Sequence, residues 1–386
     1  MKIKLLIPVV IIFSIFSCSK DYDDGVTNPP PTGNDAEINW EKASDSSTTA
    51  LLLNFWNSPG RYFNEKNNNT NFHYWPQAHA LDVIVDAYIR TGNNTYRTYM
   101  NNWFEGVKQK NGGSFLNEYY DDMEWNALAL LRAYKATGDN KFLSAVEDIW
   151  ADIQTGWNNT MGGGIAWRKS QLYYKNTPAN APAAILAARL YKENNREEDL
   201  DWAKKIYQYV IDSLYNSSTG WVYDGINSNN DGVRNTTWKF TYNQGTFIGA
   251  ALELFSITNN STYLNDAIKA ADFTLSDNVL NNFSDNLLRD EGGGDGGLFK
   301  GVFIRYFTNL IQTEGLVSSN RNRYIDYITH NAETLWTKGT DKNYLLFGSY
   351  WKNPPGPQTD LTIQLSGATL IEAMAILEKE NLLKNN

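Results

Sequence analysis

Residues 125–142 read WNALALLRAYKATGDNKF and show the pattern from which most of the chain is built. An apolar run, Trp125–Ala136, leads into the polar segment TGDNKF at 137–142. Gly138 can adopt the left-handed backbone that ends a helix, and Asp139 can cap the start of the next helix. The segment therefore predicts a helical hairpin, which consists of a helix, a tight turn and a second helix.

The same pattern recurs along the chain. Comparable turns are TGNNTY at 91–96, which starts 46 residues earlier, NNREEDL at 194–200 and TNNSTYL at 258–264. Each turn follows an apolar run, and further runs lie at Ile38–Trp56, Val302–Glu314, Arg323–Trp336 and Gln364–Lys379. Twelve helices in six pairs predict an all-α fold, an (α/α)6 barrel with one ring of helices inside another. An open scaffold of helical repeats is the alternative, because strand signals such as WVY at 221–223 are weak.

The composition narrows the chemistry that this chain can perform. Its net charge is −9, from 34 basic and 43 acidic residues, and no dense basic stripe is present, which argues against nucleic-acid partners. One Cys and three His leave no Cys/His metal site, no disulfide and no Cys/His nucleophilic pair. Any catalysis must use carboxylates or hydroxyls. Aromatic residues make up 14% of the chain, and some of these rings must reach the surface, where flat rings can hold sugars.

Two adjacent acids, Asp121 and Asp122, stand where the helix of Trp125 begins. Acids at this position meet the positive end of the helix, so the pair is either a simple cap or a functional site. Neighbouring helical side chains diverge by about 100°, which allows the carboxyl separation of roughly 5–5.5 Å found in retaining glycosidases. Crowding also raises the pKa of one acid, which keeps it protonated near neutrality. Glu118 and Glu124 flank the pair and are the rival carboxylates.

The links before the other predicted inner helices combine glycine, aromatic rings and hydrogen-bonding side chains. They are GGGIAW at 162–167, KNTPAN at 175–180, TYNQG at 241–245, GGLFKG at 296–301 and QLSG at 364–367. Glycine lets a ligand approach the backbone, and amides or amines can bind sugar hydroxyls. Equivalent positions in a repeat predict that these links line one shared cleft.

Several of these segments, in this order, resemble glycoside hydrolase family 76, the endo-α-1,6-mannanases of bacteria and related fungal cell-wall enzymes. The segments are Tyr120-Asp121-Asp122 with Trp125, the glycines before Trp167, Lys175-Asn176 with Asn180, Tyr242-Asn243-Gln244-Gly245, and Phe299-Lys300-Gly301 with Arg305. The resemblance covers most of the chain, from about Trp40 to Leu377. It implies an (α/α)6 barrel, net retention of configuration, no cofactor or metal, Asp121 as the nucleophile and Asp122 as the acid/base.

The repeat positions and the resemblance together predict a cleft for an α-mannan polysaccharide or oligosaccharide. The expected substrate-binding residues are Trp75, Tyr120, Trp125, Trp167, Lys175, Asn176, Asn180, Tyr242, Asn243, Gln244, Phe299, Lys300 and Arg305. Trp75 and Trp125 either stack on sugar rings or belong to the core.

Two other functions remain open at this point. A non-catalytic mannan-binding surface lipoprotein would share the fold and the aromatic cleft without needing an acid pair. An inverting hydrolase or a polysaccharide lyase would share the fold with different chemistry. A lyase acting on uronic acids would need clustered basic residues at the links, which this chain lacks.

The N-terminus predicts export. Lys2 and Lys4 precede an apolar run of about 12 residues, Leu5–Phe16, which is too short to span a bilayer and typical of a signal peptide. Cys18 follows in the sequence IFSC, which resembles the lipidation site of bacterial lipoproteins, although an ordinary secretory signal is the alternative. We expect a signal peptide at 1–17, a lipid-anchored flexible tether at 18–36 and a catalytic domain at 37–386. The expected product is a monomeric outer-membrane lipoprotein, with the cell surface favoured over the periplasmic face.

Overall fold

The computed structural model describes residues 38–383, so the predicted signal peptide, the lipidated Cys18 and the tether lie outside the described residues. The helices are α1 Trp40–Phe55, α2 Tyr74–Thr91, α3 Asn94–Lys110, α4 Tyr120–Thr137, α5 Asn140–Gln154, α6 Ala181–Asn194, α7 Glu197–Leu214, α8 Thr241–Thr258, α9 Ser261–Ser276, α10 Gly296–Gln312, α11 Ser318–Thr337 and α12 Leu361–Lys379. The short strands are β1 Trp56–Asn57, β2 Tyr62–Phe63, β3 Ala166–Arg168, β4 Gln171–Asn176, β5 Tyr215–Asn216, β6 Trp221–Val222, β7 Gly225–Ile226, β8 Asn281–Asn282, β9 Leu287–Leu288, β10 Thr340–Asp341 and β11 Leu346–Phe347.

The four turns predicted from the repeat are confirmed. Gly92, Gly138, Asn195 and Asn259 follow α2, α4, α6 and α8, and each adopts the left-handed conformation that ends a helix. The side chains of Asn93, Asp139 and Asn260 then cap α3, α5 and α9. These turns connect the two helices of a pair without a long loop.

The helices form two concentric rings. The even-numbered helices contact one another in order from α2 to α12, and α12 returns to contact α2, so the inner ring is closed. The odd-numbered helices pack outside them. The predicted (α/α)6 barrel is confirmed for residues 38–383. Helix α12 is long and apolar enough to cross a membrane, but 83% of its most apolar stretch is buried inside the barrel.

Short turns close one end of the barrel and long links form the other, where every inner helix begins. Small hairpins follow four outer helices, α1, α7, α9 and α11, at this end, and the sequence predicted only the strand at Trp221–Val222. Amides on inner helices bind the hairpin backbone. Gln77, Gln244 and Gln364 each accept from a backbone N–H of the preceding hairpin and donate to a nearby carbonyl. The links are therefore held against the helices that follow them.

The start of α10 differs from the prediction. The apolar pattern placed it at Val302, but the helix begins at Gly296 and includes Phe299 and Lys300. A Cβ on Gly297 would lie 2.7 Å from Thr362, and one on Gly301 would lie 2.8 Å from the Cα of Ser366. These glycines permit close packing of α10 against α12. The sequence pattern predicted that they belong to the link before the helix, and that prediction is wrong.

Ion pairs cross the interior of the barrel below the links. Arg132 on α4 binds both Asp82 and Asp86 on α2, and Arg305 on α10 donates from Nη2 to Asp86 Oδ2 at 2.9 Å. Arg305 lies nine residues into α10, about 14 Å along the helix from the mouth. The guanidinium of Arg305 is thus engaged by Asp86 well below the mouth, and its predicted contact with substrate stays a prediction.

Replacing Asp86 by Asn should destabilise the barrel. The change leaves two partly buried guanidinium groups without one of their carboxylates. Breaking a fully buried ion pair costs about 3–5 kcal/mol in the free energy of unfolding, which sets the upper end of the expected loss. Urea denaturation measures this loss. The matched control is Glu193→Gln, because Glu193 faces the half-exposed Lys135 at 3.8 Å and such pairs are worth less than about 1 kcal/mol. Equal losses in the two variants would show that the interior ion pairs do not stabilise the fold.

Candidate active site

Asp121 and Asp122 occupy the first turn of α4, at the end of the barrel where the links meet. The two oxygens of Asp121 have separate donors. The backbone N–H of Asp122 donates to Oδ1 at 3.0 Å, and the indole N–H of Trp167 donates to Oδ2 at 3.0 Å. The carboxylate of Asp121 is therefore held in one orientation by the helix and by the strand β3.

The two acids differ in their affinity for protons. Burial raises the pKa of Asp121 from 3.8 to about 7, against the opposing effect of the Asp122 backbone N–H and Trp167. Burial and the negative charges of Asp121 and Asp295 raise the pKa of Asp122 well above its usual range. Donors to a carboxylate stabilise its charged form, and Asp121 has two of them. Asp121 therefore ionises first, while Asp122 keeps its proton near neutral pH.

Trp167 is itself fixed by its neighbours. The ring of Tyr119 meets it edge-on at 5.1 Å, and the guanidinium of Arg168 lies 4.9 Å from its centroid. Arg168 also donates to the hydroxyl of Tyr119 at 3.3 Å. These contacts orient the indole N–H toward Asp121, which gives Trp167 a positioning function that the sequence did not suggest.

A third acid, Asp224, lies near Asp121, and its charge further raises the pKa of Asp121. Asp224 is buried and accepts three hydrogen bonds at 3.1–3.2 Å, from Tyr174, Tyr242 and Asn243. The ring of Phe299 stacks on Tyr242 with centroids 3.9 Å apart. The structure thus brings the predicted residues Tyr242, Asn243 and Phe299 together beside the acid pair.

A fourth acid, Asp295, precedes α10 and lies near Asp122, whose pKa its charge raises. Its Oδ1 accepts from the indole N–H of Trp75 at 2.8 Å and lies 3.6 Å from Nε2 of His73. Trp75 and Trp125 are both more than nine-tenths buried, with centroids 6.3 Å apart. Of the two readings left open by the sequence, the structure favours the core for these two rings.

Sequence reasoning missed both Asp224 and Asp295. Asp224 follows the predicted strand at 221–223 and precedes a glycine, and Asp295 interrupts the glycine run 292–297. The sequence feature that could have indicated these two residues is a single acid next to a glycine in a link. It is weak, because such residues are also common in ordinary turns.

Six other predicted substrate ligands have their polar groups engaged by the protein or lie in the core. The amine of Lys175 donates to the Gly164 carbonyl and that of Lys300 to the Ser349 carbonyl. The remaining four are Tyr120, Asn176, Asn180 and Gln244, which are all buried. The side chain of Asn180 accepts from the backbone N–H of Ile165 and donates to its carbonyl. Gln244 binds the backbone of its hairpin in the same way, and Asn176 caps the turn before α6. We therefore assign these six residues to building the wall of the site.

Neither rival carboxylate joins the pair. Glu118 lies at the surface, where its Oε1 accepts from the backbone N–H of Ser170 at 2.8 Å. Glu124 is fully buried on α4, and burial raises its pKa well above the usual range. Two crowded acids with unequal proton affinity, at the mouth of a helical barrel, form an arrangement suited to the hydrolysis of glycosidic bonds.

The chain belongs to glycosyl hydrolase family 76, whose family model matches residues 39–386. The GH76A α-1,6-mannanase from Salegentibacter sp. HEL1_6 has 40% sequence identity and a TM-score of 0.84, over 88% of this chain and 99% of that chain. A variant of that enzyme with two consecutive aspartates replaced by alanine is inactive and was solved in complex with α-1,6-mannotetrose.

Curated fungal relatives are more distant. The mannan endo-1,6-alpha-mannosidase DCW1 of Candida glabrata is 25% identical over 215 residues, and DCW1 of Saccharomyces cerevisiae is 23% identical over 286 residues. These regions cover 50% and 68% of this chain. They cover only 47% and 62% of the two relatives, so the chain spans about half to three fifths of their length.

Replacing Asp121 by Asn should stabilise the protein at alkaline pH. The pKa of Asp121 is higher in the folded protein than the ordinary 3.8, so its ionisation opposes folding, and stability falls as pH rises from about 3.8 through about 7. At pH 8 we expect the free energy of unfolding of Asp121→Asn to exceed that of the native protein by about 1–4 kcal/mol. Below about pH 4 the two should agree, because Asp121 is then protonated in both states.

Urea denaturation at both pH values measures this difference. Glu118→Gln is the control with the opposite sign, since the hydrogen bonds from Ser170 hold the pKa of Glu118 below its usual value. That variant should lose rather than gain stability at pH 8. A loss of stability in Asp121→Asn at pH 8 would contradict the burial of an ionised acid at this position.

Proposed function

We propose that this protein is a retaining endo-α-1,6-mannanase that hydrolyses the backbone of α-mannan of the yeast and fungal cell-wall type. The proposal depends on the difference in proton affinity between the two acids. Asp121 accepts a hydrogen bond on each carboxylate oxygen, whereas the pKa of Asp122 lies well above its usual range. The similarity to the Salegentibacter α-1,6-mannanase supports the substrate class.

In the first step, the ionised Asp121 attacks the anomeric carbon of a mannosyl unit. An ester bond forms between Asp121 and that carbon while the glycosidic bond breaks. The protonated Asp122 gives its proton to the leaving oxygen, so the departing chain ends in a neutral hydroxyl. Trp167 keeps the Asp121 carboxylate aligned during the attack.

In the second step, the ionised Asp122 takes a proton from water, and the oxygen of that water attacks the anomeric carbon. The ester to Asp121 breaks, and the sugar leaves with its original configuration because two displacements have occurred at the same carbon. Both transition states carry positive charge on the sugar ring. Asp224 lies close enough to Asp121, and Asp295 close enough to Asp122, for their charges to act on the pair, and they provide negative charge there.

A non-catalytic mannan-binding protein explains the site less well. Burying two adjacent acids raises the pKa of both and opposes folding at neutral pH. Stacking rings and neutral hydrogen-bonding groups would hold a sugar without that destabilisation. The acid pair therefore favours catalysis over binding alone.

We also propose that the protein is exported as a monomeric lipoprotein anchored through Cys18 to the outer membrane. The lone cysteine after a short apolar run supports this proposal. The polar segment from Ser19 to Ala36 would let the barrel reach a polymer outside the cell.

Digestion of debranched α-1,6-mannan tests the function. Because the site lies among loops at the mouth of the barrel, we expect internal cuts that give short oligosaccharides early and little free mannose. Sizing the products over time by chromatography measures this. The control is Glu118→Gln, which removes a nearby surface carboxylate and should leave the products unchanged. Binding of the polymer without shortening would contradict catalysis, and release of mannose alone from the start would show an exo-acting enzyme.

A further inference from the structure

Trp238 is exposed in the link between β7 and α8, with 48% of its surface accessible to solvent. Strand β7, which begins at the residue after Asp224, leads into this link, and the link ends at the helix that carries Tyr242. Most large rings of this protein are buried or half-buried, so an exposed indole beside the site is unusual. The flat face of this indole is therefore available to contact a ligand.

A continuous row of rings connects Trp238 to the acids. The centroid of Trp238 lies 6.5 Å from that of Phe240, which lies 5.9 Å from Tyr242 and 5.2 Å from Phe299. The hydroxyl of Tyr242 then donates to Asp224 at 3.2 Å. We call Trp238, Phe240, Tyr242 and Phe299 the aromatic row. It runs from solvent to the acid next to Asp121.

The link is held in place although its tryptophan is exposed. The backbone N–H of Asn235 donates to the Gly225 carbonyl at 2.8 Å, and the side chain of Asn235 accepts from the N–H of Trp238 at 2.8 Å. On the other side of Trp238, Arg289 donates to the carbonyl of Lys239 at 2.9 Å. Trp238 is thus presented by a backbone that is fixed on both sides.

We propose that the aromatic row is an outlying sugar subsite, in which Trp238 stacks on a mannosyl unit several units away from the cleaved bond. An aromatic face suits the apolar face of a neutral pyranose, and the row is continuous with the acids that cut the chain. This inference rests on the proposed function, and it adds that the affinity for substrate depends on the length of the mannan chain. Polymer gains the contact at Trp238, whereas a short substrate that ends near Asp121 does not reach it.

The test compares Trp238→Ala with the native enzyme on three substrates: an aryl α-mannoside, the shortest α-1,6-mannooligosaccharide that the native enzyme cleaves, and debranched α-1,6-mannan. Losing one stacked ring should raise KM for the polymer about 10-fold, with kcat nearly unchanged. The kcat/KM for the two short substrates should stay within about 2-fold of native, since a contact that they never make cannot be lost.

Three further variants separate the outcomes. Trp238→Leu keeps apolar bulk without a flat face and should show the same polymer defect, whereas Trp238→Phe should restore most of the native KM. Phe283→Ala truncates another exposed ring, with 61% of its surface accessible, in the β8–β9 hairpin, and should leave all three substrates unaffected. Unchanged activity on the aryl mannoside shows that each variant is folded.

An unchanged KM for polymer in both Trp238→Ala and Trp238→Leu would overturn the subsite, and so would an equal loss on short and long substrates. Failure of the native enzyme to cut any mannoside would instead overturn the proposed function. The two failures are therefore distinguishable.

Discussion

The rest of the site depends on one constraint, the crowding of two adjacent carboxyl groups in the first turn of α4, where both residues are only partly exposed to solvent. Burial alone would raise the pKa of both acids, and neither would then be an effective nucleophile. The two donors to Asp121, from Trp167 and from the backbone of Asp122, favour its ionised form. That charge in turn keeps the proton on Asp122. Division of roles thus follows from hydrogen bonding at one member of the pair.

The barrel supports this arrangement at a distance. Closure of the inner ring fixes the start of α4 relative to the links that carry Asp224 and Asp295. Amide side chains on the inner helices, such as Gln244, bind the preceding hairpins and hold the links. Deeper in the barrel, ion pairs around Asp86 on α2 occupy the interior. The pair with Arg132 joins α2 to its neighbour α4, and the pair with Arg305 joins α2 to α10, which is not its neighbour in the ring.

The helices were predictable because their ends are encoded locally. A left-handed residue after the helix and a capping side chain before the next one depend only on adjacent residues, as at Gly138 and Asp139. The start of α10 was not predictable, because Gly297 is there for contact with α12, which lies more than sixty residues away. The closed ring itself was inferred from the number of repeats and needed the structure to confirm it.

The site was predictable only in part, for a related reason. Asp121 and Asp122 are conspicuous because two acids are adjacent in the sequence. Asp224 is a single acid whose relevance appears only when three donors and Asp121 surround it. Conversely, Lys175 and Asn180 have the chemistry of sugar ligands, but the fold uses their hydrogen bonds for its own backbone. Residue type indicates what a side chain can bind, and only the tertiary structure shows what it does bind.

The central claim is that Asp121 is the nucleophile and Asp122 the acid/base, and azide rescue of the alanine variants tests it most directly. With an activated aryl α-mannoside, Asp122→Ala should still form the ester on Asp121, because this leaving group needs no proton. Added azide, which needs no general base, should then restore turnover and give α-mannosyl azide with retained configuration. On mannan the same variant should lose about 100- to 10,000-fold in rate or more. Azide rescue of Asp121→Ala with retained product, or near-native activity of both variants on mannan, would contradict the claim.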